Sequence, residues 1–440
     1  MRILKEIEND ITENHWEDYL TLEVTEINVS ATFSAHFSLE NCYRYYMRKS
    51  LCVELVQIIF ENFTISLDQL IDEFFISRTT FYRRIVPLKE VLAEFDLELD
   101  FTNKQCIVGE EKQIRYFFSI FFWDIFRSIG SYKHPALTDE KYVSKIRADL
   151  NLSLETFIFF QLCLNIALTR ITQGYQLVED ISYSIIEINY SYALFKDLIT
   201  PYFTKLGQIQ QDREIKTFYF FCLTGTIYPK SMTRLIPMTN IPELNFARQW
   251  ILYYTDYFNT ILSDDDYVYL YVNLILLYEK THTFHGGTST FGVNSVTEVL
   301  TEKSPYILKQ ATQFFRHLSK QNEEFYIAPF QMLDYTLLIR RLIASAAHPL
   351  NLLVCSKVGL EEVEWIQNLI RKKSSVPVKF NLEEDLDLVI SDFPLPLGSI
   401  PVPLEKLFVW LTFPNPTEWR TLLEWLETIY YRKLDSDIKL

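Results

Sequence analysis

Four cations, Arg78, Arg83, Arg84 and Lys89, fall within one short stretch of this chain, and no acidic residue lies between the first and the last. Thr79, Thr80 and Tyr82 are interleaved with them and carry hydroxyls that can bond phosphate oxygens. An arginine fork can grip guanine or phosphate through two parallel hydrogen bonds. Laid out at about 100° per residue, Phe81, Ile85, Leu88 and Leu92 form one apolar stripe. Thr79, Tyr82, Arg83 and Val86 then point away from that stripe, with Arg78 and Arg84 at its flanks. A Thr/Tyr/Arg face on the first half of a helix is what reading a DNA major groove requires. Lys104, at the tip of a following hairpin, is placed to touch backbone or minor groove. The plainer alternative is a solvated basic face on a structural helix.

Other reactive side chains carry less. Among seven histidines, His282 and His285 stand as an HxxH pair before Gly286-Gly287, just past an apolar helix. Zinc would need further ligands at a telling spacing, and none accompanies them. A surface imidazole could instead accept a phosphoryl group, and two ordinary loop histidines remain the simpler reading. The six cysteines form no CxxC pair, so neither a zinc site nor a disulfide framework is expected, and a reducing compartment fits. Cys355 ends a strand ahead of Ser356-Lys357 and a helix, a position where a helix N-terminus can lower a thiol pKa. A buried structural cysteine is the alternative. No G-x-S-x-G, Walker, Rossmann or H-E-x-x-H pattern occurs, so no enzyme, cofactor or metal is expected.

The elements that must position these residues follow from the same pattern. LCVELVQIIFENF (51–63) reads as an apolar helix, and Ser66 with Gln69 as a capping box opening a short helix, with Leu67, Leu70 and Ile71 facing inward. Ser77 caps a third helix, RTTFYRRIVPLKEVLAEF, taken as continuous to residue 94 or 95. LELDF and CIVGE then flank a hairpin turn, which completes a winged helix. The first fifty residues read as a partial copy of that unit, beginning inside a recognition helix and ending on the hairpin strands LTLEV and INVSATF. From residue 113 the texture is helical and aromatic, with 34 Phe and 27 Tyr against 10 Gly in the chain. Leu162–Leu168 and Leu270–Leu276 resemble one another, with Asn165 and Asn273 in register 108 residues apart. After Pro349, strands and helices alternate as in a small α/β domain with a mainly parallel sheet.

The expected fold is therefore multidomain and mainly α. It comprises a partial winged-helix module (1–48), a winged helix-turn-helix (49–112), two tandem all-helical domains (113–224 and 225–344) and a C-terminal α/β domain (345–440). The net charge of −15 opposes nucleic acid globally, so DNA binding demands a local basic surface on an acidic body. The N-terminus does not read as a signal peptide. The most apolar run, Phe157 to Leu168, is interrupted by Gln161 and Asn165 and reads as too short for a membrane span, so a cytoplasmic protein is expected.

This arrangement resembles the Mga-like transcription regulators of Gram-positive bacteria. The resemblance rests on ISLDQLIDEFFISRTTFYRRI, LNIALTRITQGYQL and LLVCSKVGLEEVEWI, and extends over most of the chain. It implies two N-terminal DNA-binding modules, two phosphotransferase regulation (PRD-like) domains and an EIIB-like end that supports self-association. It also implies an activator of virulence or carbohydrate-linked genes, with promoter DNA, phosphocarrier proteins of the phosphotransferase system and RNA polymerase as partners. The histidine that often follows the core helix of the first regulation domain is replaced by Tyr175, after Gly174; His282 stands near the equivalent point of the second. Cys355 matches the phosphocysteine position of EIIB proteins, but Ser356-Lys357-Val358-Gly359 lacks a Gly- and Ser/Thr-rich phosphate cradle, so a dimerising domain is expected there. The competing functions are a phosphocarrier-type protein and a helical interaction scaffold.

Overall fold

Local capping chemistry fixes where the early helices of the computed structural model begin. Ser66 Oγ accepts the Gln69 backbone N–H at 3.2 Å, and Gln69 Oε1 accepts that of Ser66 at 2.8 Å, a reciprocal capping box. Ser77 Oγ accepts the Thr80 N–H at 3.2 Å and opens the next helix. The structure describes residues 2–24, 28–34, 37, 39–62, 65–103, 105–126, 134–137, 140–180, 191–287, 305–329, 331–346, 349–380, 386–393 and 406–437. They divide into two compact units, one of residues 1–138 and 154–175, the other of 139–153 and 176–440.

The first unit begins with α1 (Arg2–Glu13), the antiparallel hairpin β1 (Leu20–Val24) and β2 (Val29–Phe33), and α2 (Leu39–Arg48). The sequence reading missed α2; Asp10 of α1 ties to it through Tyr45 at 2.9 Å and to Lys49 just beyond it at 2.5 Å. Next come α3 (Leu51–Glu61), α4 (Leu67–Glu73), α5 (Arg78–Arg84), α6 (Val86–Glu94) and the wing strands β3 (Glu98–Leu99) and β4 (Ile107–Val108). Of the three α4 residues expected to face inward only Leu70 is fully buried; Leu67 and Ile71 are half-buried. The helix expected over 77–94 is broken at Ile85, which has φ −88° and ψ 0°. Pro87 explains the break: it has no N–H to bond back to the Arg83 carbonyl and its ring crowds that carbonyl, whereas it fits the first turn of a new helix.

The aromatic surplus goes into the core beside the helix-turn-helix. In α7 (Glu111–Phe126), Phe117, Phe118, Phe121 and Phe122 are almost wholly buried. Phe60 of α3 packs edge-on against Phe118 and Phe122 at 5.0 and 4.9 Å, and Phe95 against Phe117 at 5.4 Å. Each such pair contributes about 0.5–1.5 kcal/mol beyond simple burial. After α8 (Glu140–Asp149), which belongs to the second unit, α9 (Leu154–Thr172) returns to the first and packs on α7. At 19 residues α9 is long and apolar enough to cross a membrane, which corrects the shorter span read from sequence. It is 56% buried, and Asn165 and Arg170 are enclosed with their polar groups bonded, as in the core helix of a folded domain.

The second unit continues with α10 (Tyr192–Ile199), α11 (Gln208–Thr224), α12 (Lys230–Thr233), α13 (Asn245–Tyr257), α14 (Asp264–Thr283), α15 (Pro305–Gln321) and α16 (Met332–Ala346). Its C-terminal part holds β5 (Leu350–Cys355), α17 (Leu360–Lys373), β6 (Val378–Phe380), β7 (Leu388–Ser391), β8 (Leu407–Val409) and α18 (Pro416–Asp437). The four strands form a parallel sheet in the order β6-β5-β7-β8. Parallel strands need crossovers and covered faces, which fits the near-continuous apolar runs of β5 and β7.

The two asparagines matched in the sequence do the same work in their helices. Asn165 Oδ1, in α9, accepts the His134 backbone N–H at 2.8 Å. Asn273 Oδ1, in α14, accepts that of Tyr228 at 2.7 Å, and its amide returns a bond to the Tyr228 carbonyl at 3.0 Å. Each bonded residue precedes a proline, Pro135 or Pro229, that opens a short helical turn. Both asparagines are buried, so each must be satisfied internally, and the entering loop supplies the partner.

Candidate nucleic-acid interface

The stripe Phe81, Ile85, Leu88 and Leu92 is wholly buried and seats α5 and α6 against the rest of the unit. Phe81 packs on Phe74 at 6.3 Å and on Phe101 of the wing at 5.4 Å. Cys52 Sγ on α3 donates to the Arg84 carbonyl at 3.4 Å, tying the last turn of α5 to the helix behind it. These contacts fix which side of α5 meets solvent. Thr79, Tyr82, Arg83, Arg84 and Val86 lie on that side, all exposed.

The charged groups there are not equally available. Among the described residues, neither the Arg83 nor the Arg84 guanidinium has an ion-pair partner. Lys89 Nζ lies 5.7 Å from the Tyr82 ring centroid, so these two side chains share one edge of the face. Arg78 is engaged: its Nη2 donates to Asp68 on α4 at 2.6 Å. Those two side chains are 62% and 79% exposed, so the pair is worth at most about 1 kcal/mol and is readily exchanged for a phosphate. Thr80 is half-buried and its hydroxyl is 2.9 Å from that of Ser77, which makes it part of the cap. Lys104 lies outside the described residues.

The turn that carries α4 into α5 holds a feature the sequence did not announce. Phe75 has φ +50° and is 94% exposed. A left-handed backbone costs a non-glycine residue about 1–2 kcal/mol, and this one recovers little by burial. Phe75 closes the C-terminal end of α4: its N–H donates to the Asp72 carbonyl at 3.3 Å and the Ile76 N–H to the Ile71 carbonyl at 3.3 Å, a pattern that needs a left-handed residue at this point.

The remaining sites are scattered. His282 lies in the last turn of α14, exposed, with Nδ1 2.8 Å from the Tyr278 carbonyl and its ring 3.9 Å from that of Tyr278. Among the described residues no three His, Cys, Asp or Glu side chains gather as a metal site. Cys355 is half-buried at the end of β5, and burial together with the Asp392 carboxylate raises its thiol pKa. Both effects weigh toward the structural cysteine of the two readings and away from a thiol activated by a helix N-terminus. The loop after it is already occupied by an anion of the chain itself. Asp392 accepts the Lys357 N–H at 2.8 Å and the Ser356 hydroxyl at 2.9 Å, taking donors a phosphate would use.

Two comparisons bear on this interface. Residues 35–122 match the family described as the Mga helix-turn-helix domain. A stretch of 85 residues is 32% identical to a Streptococcus pneumoniae protein named "Putative trans-acting regulator", covering 19% of this chain and 17% of that protein.

Proposed function

From the match of residues 35–122 to the Mga helix-turn-helix domain, we propose that the chain is an Mga-like regulator, a cytoplasmic transcription activator that reads promoter DNA with α5. The observation that carries the reading is the exposed Thr79/Tyr82/Arg83/Arg84 face, held outward by the buried Phe81 stripe on a stretch, Arg78 to Lys89, that itself contains no acidic residue. Tyr82, Thr79 and Arg83 reach base edges, while Arg78, Arg84, Lys89 and Lys104 serve phosphates and Thr80 holds the helix start. One winged helix buries only roughly 600–1,000 Å² on DNA, so paired half-sites on a homodimer raise affinity.

The C-terminal α/β domain (345–440) supplies that dimer contact. Among the described residues β8 is a sheet edge, and Val409, Leu411 and Phe413 at and beyond it are 52%, 61% and 78% exposed. The domains at 113–224 and 225–344 are PRD-like and modulate activity; the paired roles of Asn165 and Asn273 support the repeat. His282 is the candidate phosphoryl acceptor for a phosphocarrier protein, and RNA polymerase is the downstream partner. The raised Cys355 thiol and the loop filled by Asp392 weigh against a phosphocarrier role for the C-terminal domain itself.

Selection from a randomised duplex pool tests the reading. The chain should enrich one motif, and Arg83→Ala should relax the preference at a single position within it. An unenriched pool would count against base reading by α5.

A further inference from the structure

The last turn of α9 meets the DNA-binding module in a buried cluster of charge. Arg170 donates to Glu111 through Nη2 at 2.7 Å and Nε at 3.0 Å, gripping both carboxylate oxygens. Arg115 Nε reaches the same carboxylate at 2.8 Å, and its Nη2 donates to the Tyr175 carbonyl at 3.1 Å. The Tyr175 ring lies 4.0 Å from the Arg170 guanidinium carbon. Side-chain exposure is 3% for Arg170 and 10% for Glu111. One turn on, Gln173 Nε2 donates to the Phe60 carbonyl of α3 at 2.8 Å. Arg170 and Tyr175 also line a small gap shared with Asn62 after α3 and with Gln105 and Cys106 of the wing.

Burying two such ions costs about as much as their attraction returns, so stability alone does not explain the arrangement. A bidentate fork constrains direction as well as distance, which apolar helix packing does not. Its targets are the supports of the recognition helix. Glu111 follows directly on the wing, and α3 carries Cys52, which holds the last residue of α5. Both chain ends of α9 run into the second unit, at residues 153 and 176. Whatever turns or shifts α9 therefore reaches the wing and α3 through this fork, with the Gln173–Phe60 and Arg115–Tyr175 bonds beside it.

We propose that Arg170, through Glu111 and α3, is a positioning residue for DNA binding: it sets the posture of α5 and the wing without touching DNA. This rests on the DNA-reading function proposed above. The test compares the full chain with Arg170→Gln and with the paired Arg170→Met/Glu111→Gln, which removes the clasp, keeps the net charge of the cluster and leaves Arg115 an amide oxygen and the Tyr175 carbonyl to bond. Affinity for the selected duplex and for mixed-sequence duplex is measured across a salt series, beside thermal unfolding.

The expected result is roughly 3- to 30-fold weaker binding at fixed salt in both variants. The slope of log affinity against log salt stays at the wild-type value, because no phosphate contact is lost. The paired variant decides the matter if Arg170→Gln does not fold. If the wild type binds and the variants bind equally well, the positioning role is overturned and the DNA-reading function stands. A slope that drops with affinity also overturns it, since Arg170 would then be a direct contact. If the wild-type chain binds no duplex, the DNA-reading function falls and this role with it.

Discussion

Arg83 and Arg84 were legible because helical periodicity assigns faces: once Phe81 and Ile85 are placed inside, their neighbours must look out. The partners of Arg78 and Arg170 were not legible. Asp68 and Glu111 lie 10 and 59 residues from them, and only the fold brings the pairs together. Phe75 was hidden for the opposite reason, since local preference argues against a phenylalanine in a left-handed turn. Its strain is testable. Phe75→Gly keeps the turn and removes the steric penalty, so the protein should gain about 1 kcal/mol and unfold at higher temperature. An unfolding temperature that stays the same or falls would show that the turn carries no such strain.

Among the elements, capping residues announced α4 and α5 in the sequence because Ser66, Gln69 and Ser77 act on bonds only three residues away. The break at Ile85 was passed over although Pro87 was in view; a continuous apolar stripe across the break masked it. The α7–α9 clasp makes a prediction at this scale. Burial pushes the Glu111 carboxyl up, but Arg115 and Arg170 outweigh it and hold its pKa below the ordinary 4.5. A carboxylate held low in the folded state contributes stability that is present above its unfolded pKa and is lost as pH falls through the folded value. The stability gap between wild type and Glu111→Gln, followed by thermal unfolding, should therefore narrow as pH drops below 4.5. A gap that stays constant through that range would place the energy of the clasp elsewhere.

The whole chain presents a contradiction that its parts resolve. A net charge of −15 repels DNA, yet the stretch from Arg78 to Lys89 carries only cations among its charged side chains. On the proposed reading the acidic remainder limits non-specific attachment, so DNA binding is expected to depend on a small surface and to be sensitive to salt. The mainly helical composition and the change of texture near residue 345 were readable in the sequence, because aromatic-rich helices and short β-rich runs differ in period. The β6-β5-β7-β8 order was not, since strand neighbours are chosen by packing across the sheet. The central claim is that α5 is the DNA reader. Affinity of the full chain for duplex DNA, measured across a salt series beside Arg83→Ala plus Arg84→Ala, tests it most directly. The account predicts binding that weakens steeply with salt, and a variant that binds more weakly with a slope shallower by roughly 1–2. Equal affinity and equal slope in the two proteins would contradict it.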